Sequence, residues 1–161
     1  MAGFRKTADL PQVIPVFPLD GALLLPGGEL PLQIFEPRYL NMLDDVMGGD
    51  RIIGMIQTRP GGDRARPSFA AVGCAGRVTS FAETSDGRYL ITLTGLCRFE
   101  PVEELAVLLP YRQVRADYRR FEGDLAEEEQ AMATPPSVTV PKKLEGSTET
   151  EVVPGPIAVA G

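Results

Sequence analysis

Acid–base and nucleophilic catalysis need a nucleophile and a base within hydrogen-bond reach of one another. The side chains that build such pairs are scarce in this sequence. It has no histidine, which rules out Ser-His and Cys-His couples. Its three lysines are Lys6, Lys142 and Lys143, all in segments read below as mobile and therefore poor places to hold a base. No G-x-x-x-x-G-K-[ST] nucleotide loop occurs. Cys74 and Cys97 fall in separate predicted strands. Without histidine, two thiols cannot complete a four-ligand zinc site, so they read as small buried apolar residues. The carboxylate pairs Asp44-Asp45 and Glu103-Glu104 are sequence neighbours, which diverge on a helix or strand; they read as solvated. Arg59, Arg64 and Arg66 could hold an anion, but no helix N-terminus or phosphate-cradling glycine motif accompanies them. The sequence therefore implies no catalytic residue, no cofactor and no metal.

The elements that would position any site are organised around Leu30–Tyr39. Apolar groups on both parities of Leu30–Phe35 predict a buried strand. Pro37 suits the first helical position, and Glu36 puts a negative charge at the positive end of that helix. Tyr39, Leu40, Leu43, Val46 and Met47 follow at helical spacing, and Gly48-Gly49 ends the run. The predicted helix is 37–47.

On either side the pattern is of strands. Val13–Phe17 is a first strand, with Pro15 expected at an edge or bulge. Ala22–Leu25 reads as extended after an Asp20-Gly21 turn. Arg51–Gln57 is apolar on both faces, with Gly54 suggesting a bulge or a close approach. Residues 58–70 read as a loop. A hairpin follows: a strand from Val72 to Glu83, a type I′ turn at Asp86-Gly87 and a return strand from Arg88. Gly73–Gly76 is small enough for another backbone to press close, and Gly95 allows a bend. Tyr111–Tyr118 is the last strand. Short strands, one helix and many Gly/Pro turns imply a mainly β barrel or sandwich with an inserted helix.

Composition narrows the partners. At 161 residues, 43% hydrophobic and 24% charged, this is an ordinary globular chain with length for one cored domain. A net charge of −6 makes nucleic acid an unfavourable partner, since such binding needs clustered cations. It disfavours an anionic membrane surface too. No apolar run reaches membrane-spanning length, and Met1–Leu10 lacks the apolar core of a secretory signal. The expectation is a cytoplasmic protein.

The string FPLDGALLLPGGELPLQIFEPRY, followed by GDRIIGMIQ and VGCAGRVTSF…DGRYLITLTGLCRF, resembles the stand-alone Lon N-terminal-domain-like proteins. These are similar to the substrate-recruiting amino-terminal domain of Lon protease and lack its motor and peptidase. The resemblance covers about residues 12–121 and implies a PUA-like pseudo-barrel of short, mostly antiparallel strands. It also implies a non-catalytic module that recognises exposed apolar polypeptide segments, either in a groove beside the helix or by strand addition. The groove candidates are Leu23, Leu24, Leu25, Phe35, Arg38 and Tyr39, most of the apolar ones being expected in the core. For Glu36 and Arg38 the favoured reading is structural, a helix start and a local ion pair. A small-molecule barrel is the alternative, and an RNA-binding PUA-like module the less favoured one.

The domain organisation follows from composition: a flexible arm at 1–11, the barrel at 12–126 and a tail at 127–161. The tail has no aromatic residue, five prolines, and six acids against two lysines, too little burial to offset its ordering entropy. A short helix at 125–133 would end at Pro135-Pro136. Lon amino-terminal domains continue helically after the barrel, so this tail leaves an apolar face open for self-association.

Overall fold

Parallel strands need a crossover between them, and here the organising strand and helix supply it. In the computed structural model, which describes residues 6–63 and 66–125 (backbone only at 61–63), β1 (Val13–Pro18) pairs in parallel with β3 (Ile52–Ile56). The chain between them runs through β2 (Glu29–Ile34) and α1 (Pro37–Met47). The helix occupies its predicted span, with Pro37 in its first turn and Glu36 as the preceding cap residue. It buries Tyr39, Met42, Leu43 and Val46.

Next come β4 (Thr58–Asp63), β5 (Arg66–Phe69), β6 (Gly73–Glu83), β7 (Tyr89–Glu104) and β8 (Arg112–Asp117). The main sheet has the order β2-β7-β6-β3-β1-β8, and an added β7–β8 pairing closes it. The ring works because β7 is sixteen residues long. Its first half lies between β2 and β6, and its last residues, from Glu100, pair with β8. Register shifts at Ala75/Gly76, Val78/Ser80 and Pro101/Glu103 bend the strands as bulges do. This is the expected pseudo-barrel, and among the described residues β2 hangs from the main sheet as its edge.

β1 and β3 separate two cores. Phe17, Ile53 and Met55 face α1 together with Leu32, Ile34 and Leu93. Ile14, Val16, Ile52 and Ile56 face the other way, onto Leu96, Phe99, Val114 and Tyr118. Burial on both faces explains why these strands read as continuous apolar runs. β3 keeps a regular register through Gly54; a Cβ there would meet the Phe99 ring and the Ile14 side chain at 2.9 Å. So Gly54 makes room for an aromatic ring, and no bulge is involved. Pro15 lies in an interior strand, at the stretch paired with β8 before the β3 pairing begins at Val16.

Four local expectations are corrected. Residues 58–69 form the antiparallel β4–β5 hairpin instead of a loop. Ala22–Leu25 is not a strand; it is irregular chain held across β7. The turn before β7 is not type I′. Gly87 has φ +87° while Asp86 keeps a negative φ, and the Gly87 N–H donates to the Thr84 carbonyl. That is a type I turn followed by a left-handed glycine. Finally, Asp44 and Asp45 are not idle surface charges. Asp44 accepts from the Tyr89 hydroxyl at 2.6 Å and Asp45 from the Tyr111 hydroxyl at 2.5 Å, fixing α1 to the starts of two strands.

At the chain's beginning, Thr7–Asp9 forms a 3-10 turn and Leu10 is buried in the second core. At the far end, Phe121 and Leu125 close that core. Asp124 is buried and takes Arg98 through Nε at 3.0 Å and Nη2 at 2.8 Å, and the Arg98 backbone N–H as well. Burial alone would raise its carboxyl; the bonds from Arg98 outweigh that and hold it below its ordinary value. The expected tail at 127–161, the short helix beyond Leu125, and Arg64 lie outside the described residues.

Candidate binding site

Two glycines determine how the Leu23–Leu25 segment sits. A Cβ on Gly95 would lie 2.1 Å from the Leu25 carbonyl oxygen, and one on Gly76 would lie 2.7 Å from Leu24 Cδ2. Only glycine at these points lets irregular chain cross directly over the β6–β7 pair. The crossing is fastened by Gly27 N–H to the Gly95 carbonyl (2.9 Å) and Gly95 N–H to the Gly28 carbonyl (2.8 Å). Farther up the segment, Asp20 accepts from the Thr58 N–H at 2.8 Å and from its hydroxyl, and Gln57 donates to the Ala22 carbonyl. The strap is thus tied at both ends.

Its leucines alternate. Leu24 points down and is 4% exposed, while Leu23 and Leu25 point out, 69% and 53% exposed. Beside them opens an apolar cleft of about 150 Å³, lined by the strap, by Met55 and Ile56 of β3, and by Ala70, Val72 and Cys74. A cavity of that size holds about one benzene-sized group, hence one aliphatic or small aromatic side chain. Arg98 stands at its wall.

The other candidates lie elsewhere. Tyr39 is buried, its ring 4.3 Å from that of Phe17, and burial raises its hydroxyl pKa. Phe35 is 40% exposed under the Arg88 guanidinium. Arg38 pairs with Glu36 at 3.4 Å, the structural arrangement favoured from sequence. So Leu23, Leu24 and Leu25 belong to the cleft, Phe35 and Arg38 mark the strand–helix junction outside its lining, and Tyr39 is core.

Arg88 pairs with Asp86, and Arg98 with the distant Asp124. Arg77 has a buried Nε with no hydrogen-bond partner among the described residues. The thiols of Cys74 and Cys97 are both pushed up to about 12, chiefly by burial, and neither is a nucleophile in this state. No group of His, Cys, Asp and Glu able to hold a metal occurs among the described residues, nor a helix long and apolar enough to cross a membrane.

One surface escaped the sequence reading, and a second was seen there only through Arg59 and Arg66. The connection from β7 to β8 exposes Val107, Leu108 and Leu109, with Leu108 wholly in solvent; an apolar run ending in Pro110 without strand alternation was its only signal. The second gathers Arg59, Arg66 and Arg112 around Glu104 in a cleft of about 400 Å³. Arg112 comes from a distant strand, so spacing could not reveal it.

The chain is similar to known proteins in sequence and in fold. Residues 13–145 match the family of ATP-dependent protease La (Lon) substrate-binding domains. A Lon protease of Herpetosiphon aurantiacus is 31% identical over 138 residues, 83% of this chain and 17% of that protein. A second, from Myxococcus xanthus, is 29% identical over 71% of this chain and 14% of its own length. The chain therefore spans about a sixth of the curated relatives it matches. Among solved structures, a Lon N-terminal domain protein from Xanthomonas campestris superposes with a TM-score of 0.54 at 26% identity, covering 66% of this chain and 59% of that one. The match falls on the substrate-binding portion of Lon alone, and on these grounds the chain belongs to the Lon substrate-binding domain family.

Proposed function

We propose that this protein is a non-catalytic module that recognises exposed apolar segments of polypeptides, with Leu23 and Leu25 as its contact residues and the adjacent cleft receiving one apolar side chain. The observation that carries the reading is the strap itself. It holds two leucines in water on a backbone tied down at both ends, so the contact surface is formed before a ligand arrives and little ordering entropy is lost on binding. Fully burying a leucine side chain contributes about 1.5–3 kcal/mol. Two leucines and one pocketed side chain then suit weak to moderate affinity for many unrelated sequences.

Strand addition is the less favoured route. β2 is the open edge, and Pro31 in its middle has no N–H to offer an incoming strand. The test is a titration of the whole chain with a fluorescently labelled, permanently unfolded protein such as casein, beside a short RNA and a metabolite set. Casein binding that weakens about tenfold in Leu23→Ser and again in Leu25→Ser, with unchanged thermal stability, is the expected result. Binding indifferent to both substitutions would refute the assignment, and saturable binding of a metabolite alone would replace it with a small-molecule role.

A further inference from the structure

The cleft between the β4–β5 hairpin and the ends of β7 and β8 carries a charge opposite to that of the chain. Arg59, Arg66 and Arg112 line it with Ser68, Glu103 and Glu104. Glu103 is already engaged by Arg115 at 3.2 Å, which leaves Glu104, among the described side chains, as the one carboxylate facing three guanidinium groups. Arg112 is held in place: Nε and Nη2 donate to Glu104 at 2.8 Å each, Nη1 donates to the Pro67 carbonyl at 2.9 Å, and the group stacks 3.9 Å from the centre of the Phe69 ring. Arg66 bonds the Glu104 oxygen that Arg112 Nε also uses, and stays more than half exposed. Arg59 donates from Nε to the Phe69 carbonyl at 2.9 Å and has no carboxylate partner among the described residues. The hydrogen bond from Arg112 and the charges of Arg112 and Arg66 hold the Glu104 carboxyl below its usual range, against some desolvation. On a protein of net charge −6, this is a local excess of positive charge in a concave setting.

We propose that this cleft is a carboxylate-binding site, with Arg59 and Arg66 as its donors; resting on the polypeptide reading above, it selects segments with an acidic side chain or a free C-terminus beside their apolar group. A guanidinium presents paired N–H groups that match the two oxygens of a carboxylate. Arg112 is the poorer candidate for that part, because three of its five N–H groups are already committed and its face is stacked on Phe69. It acts as a positioning residue, fixing Glu104, and through it Arg66. The site also adjoins the apolar one, since Ala70 lines both clefts. One extended segment can thus place an apolar side chain in the first and a carboxylate in the second. A nucleic-acid phosphate fits less well. Single strands need open aromatic faces for stacking, and Arg112 covers that of Phe69.

Arginine Nε–Hε NMR signals of the full chain, titrated with N-acetyl-aspartate amide and with N-acetyl-alanine, separate the side-chain and C-terminal sources of the carboxylate. The expected result is saturable shifts at Arg59 and Arg66 with at least one probe. Affinity should fall about fivefold or more in Arg59→Gln, and Arg59→Lys should recover only part of that loss, since an ammonium keeps the charge but lacks the paired N–H groups. Arg119, exposed and paired with Asp117, serves as the internal control. No saturable shift, or an equal one at Arg119, would overturn the proposal, as would saturation by a short RNA where neither probe gives a shift. A second arm uses a leucine-rich, C-terminally amidated peptide with and without a terminal aspartate. At least threefold tighter binding of the acidic peptide, abolished in Arg59→Gln, supports the site. Equal binding of the amidated peptide, its aspartate form and the same peptide with a free C-terminus overturns it and leaves the polypeptide reading standing. Saturable shifts without any peptide binding uphold the carboxylate site and count against that reading instead.

Discussion

Substituting Gly95 by alanine tests the strap directly. The added Cβ would sit 2.1 Å from the Leu25 carbonyl oxygen and 2.8 Å from its carbon, whereas a carbon–oxygen contact relaxes near 3.3 Å. The strap must therefore lift by about 1.2 Å at this point. The bonds from Gly27 N–H and to the Gly28 carbonyl, now 2.9 and 2.8 Å, cannot both survive that movement. Overpacking of this kind costs about 1–3 kcal/mol, and each lost hydrogen bond about 0.5–1.5 kcal/mol. Alanine returns about 0.4–1 kcal/mol by narrowing the unfolded ensemble. The net loss should be about 2–4 kcal/mol, a large fraction of a small domain's stability, read as a lower urea midpoint at unchanged slope. Gly123 in the helical turn at 122–125 is the control: a Cβ there meets nothing within 4 Å, so Gly123→Ala should be neutral or stabilising by up to about 1 kcal/mol. A Gly95→Ala midpoint within about 0.5 kcal/mol of the parent would refute the crossing and, with it, the preformed cleft.

Gly87→Val should cost about 1–2 kcal/mol through φ alone, since no atom lies within 4 Å of the added carbon; an unaltered melting temperature would contradict the turn. The carboxyl of Asp124 is depressed in the folded state, so its stabilisation is complete above the unfolded pKa near 3.9 and is lost as pH falls through the lower folded value. Asp124→Ala should thus lose about 1–3 kcal/mol at pH 7, and the gap from the parent in urea melts should narrow below pH 4. Cys74 and Cys97, both buried with thiols near 12, should resist a disulfide reagent in the native protein and react together on unfolding. Prompt labelling of either would show that its strand opens locally.

What the sequence revealed was what depends on neighbours along the chain. The Glu36-Pro37 junction and the spacing of Leu43 and Val46 place α1 because capping and helical periodicity are local. The role of Gly87 was legible for the same reason, although the turn around it was misread: Asp-Gly suits a type I′ turn, but Thr84 accepts the Gly87 N–H and leaves Asp86 with an ordinary φ. The hairpin at 58–69 was missed because Pro60, Gly61 and Gly62 suppress every strand signal, and pairing across a register shift overrides propensity. Gly76 and Gly95 were seen as small or flexible positions; that the same strap covers both depends on a crossing between residues 52 and 70 positions apart.

The same distinction bears on function. Acidic pairs on a sequence invite a search for catalysis, and here each charge already has an assigned neighbour: Asp44 and Asp45 hold tyrosines, Glu103 and Glu104 hold arginines, and Asp124 closes the second core. A carboxylate so engaged cannot also shuttle a proton without releasing the element it fastens. Among the described groups that face water beyond these internal bonds are Leu23 and Leu25 on the strap and the terminal donors of Arg59 and Arg66 in the neighbouring cleft. They offer apolar area and cations at a concave surface, the chemistry that the proposed recognition of polypeptide draws on. The fold thus uses Asp20, Asp44, Asp45 and Glu104 to hold the strap, the helix and the ring in register, and the proposed recognition draws on side chains that this framework keeps out of its own core.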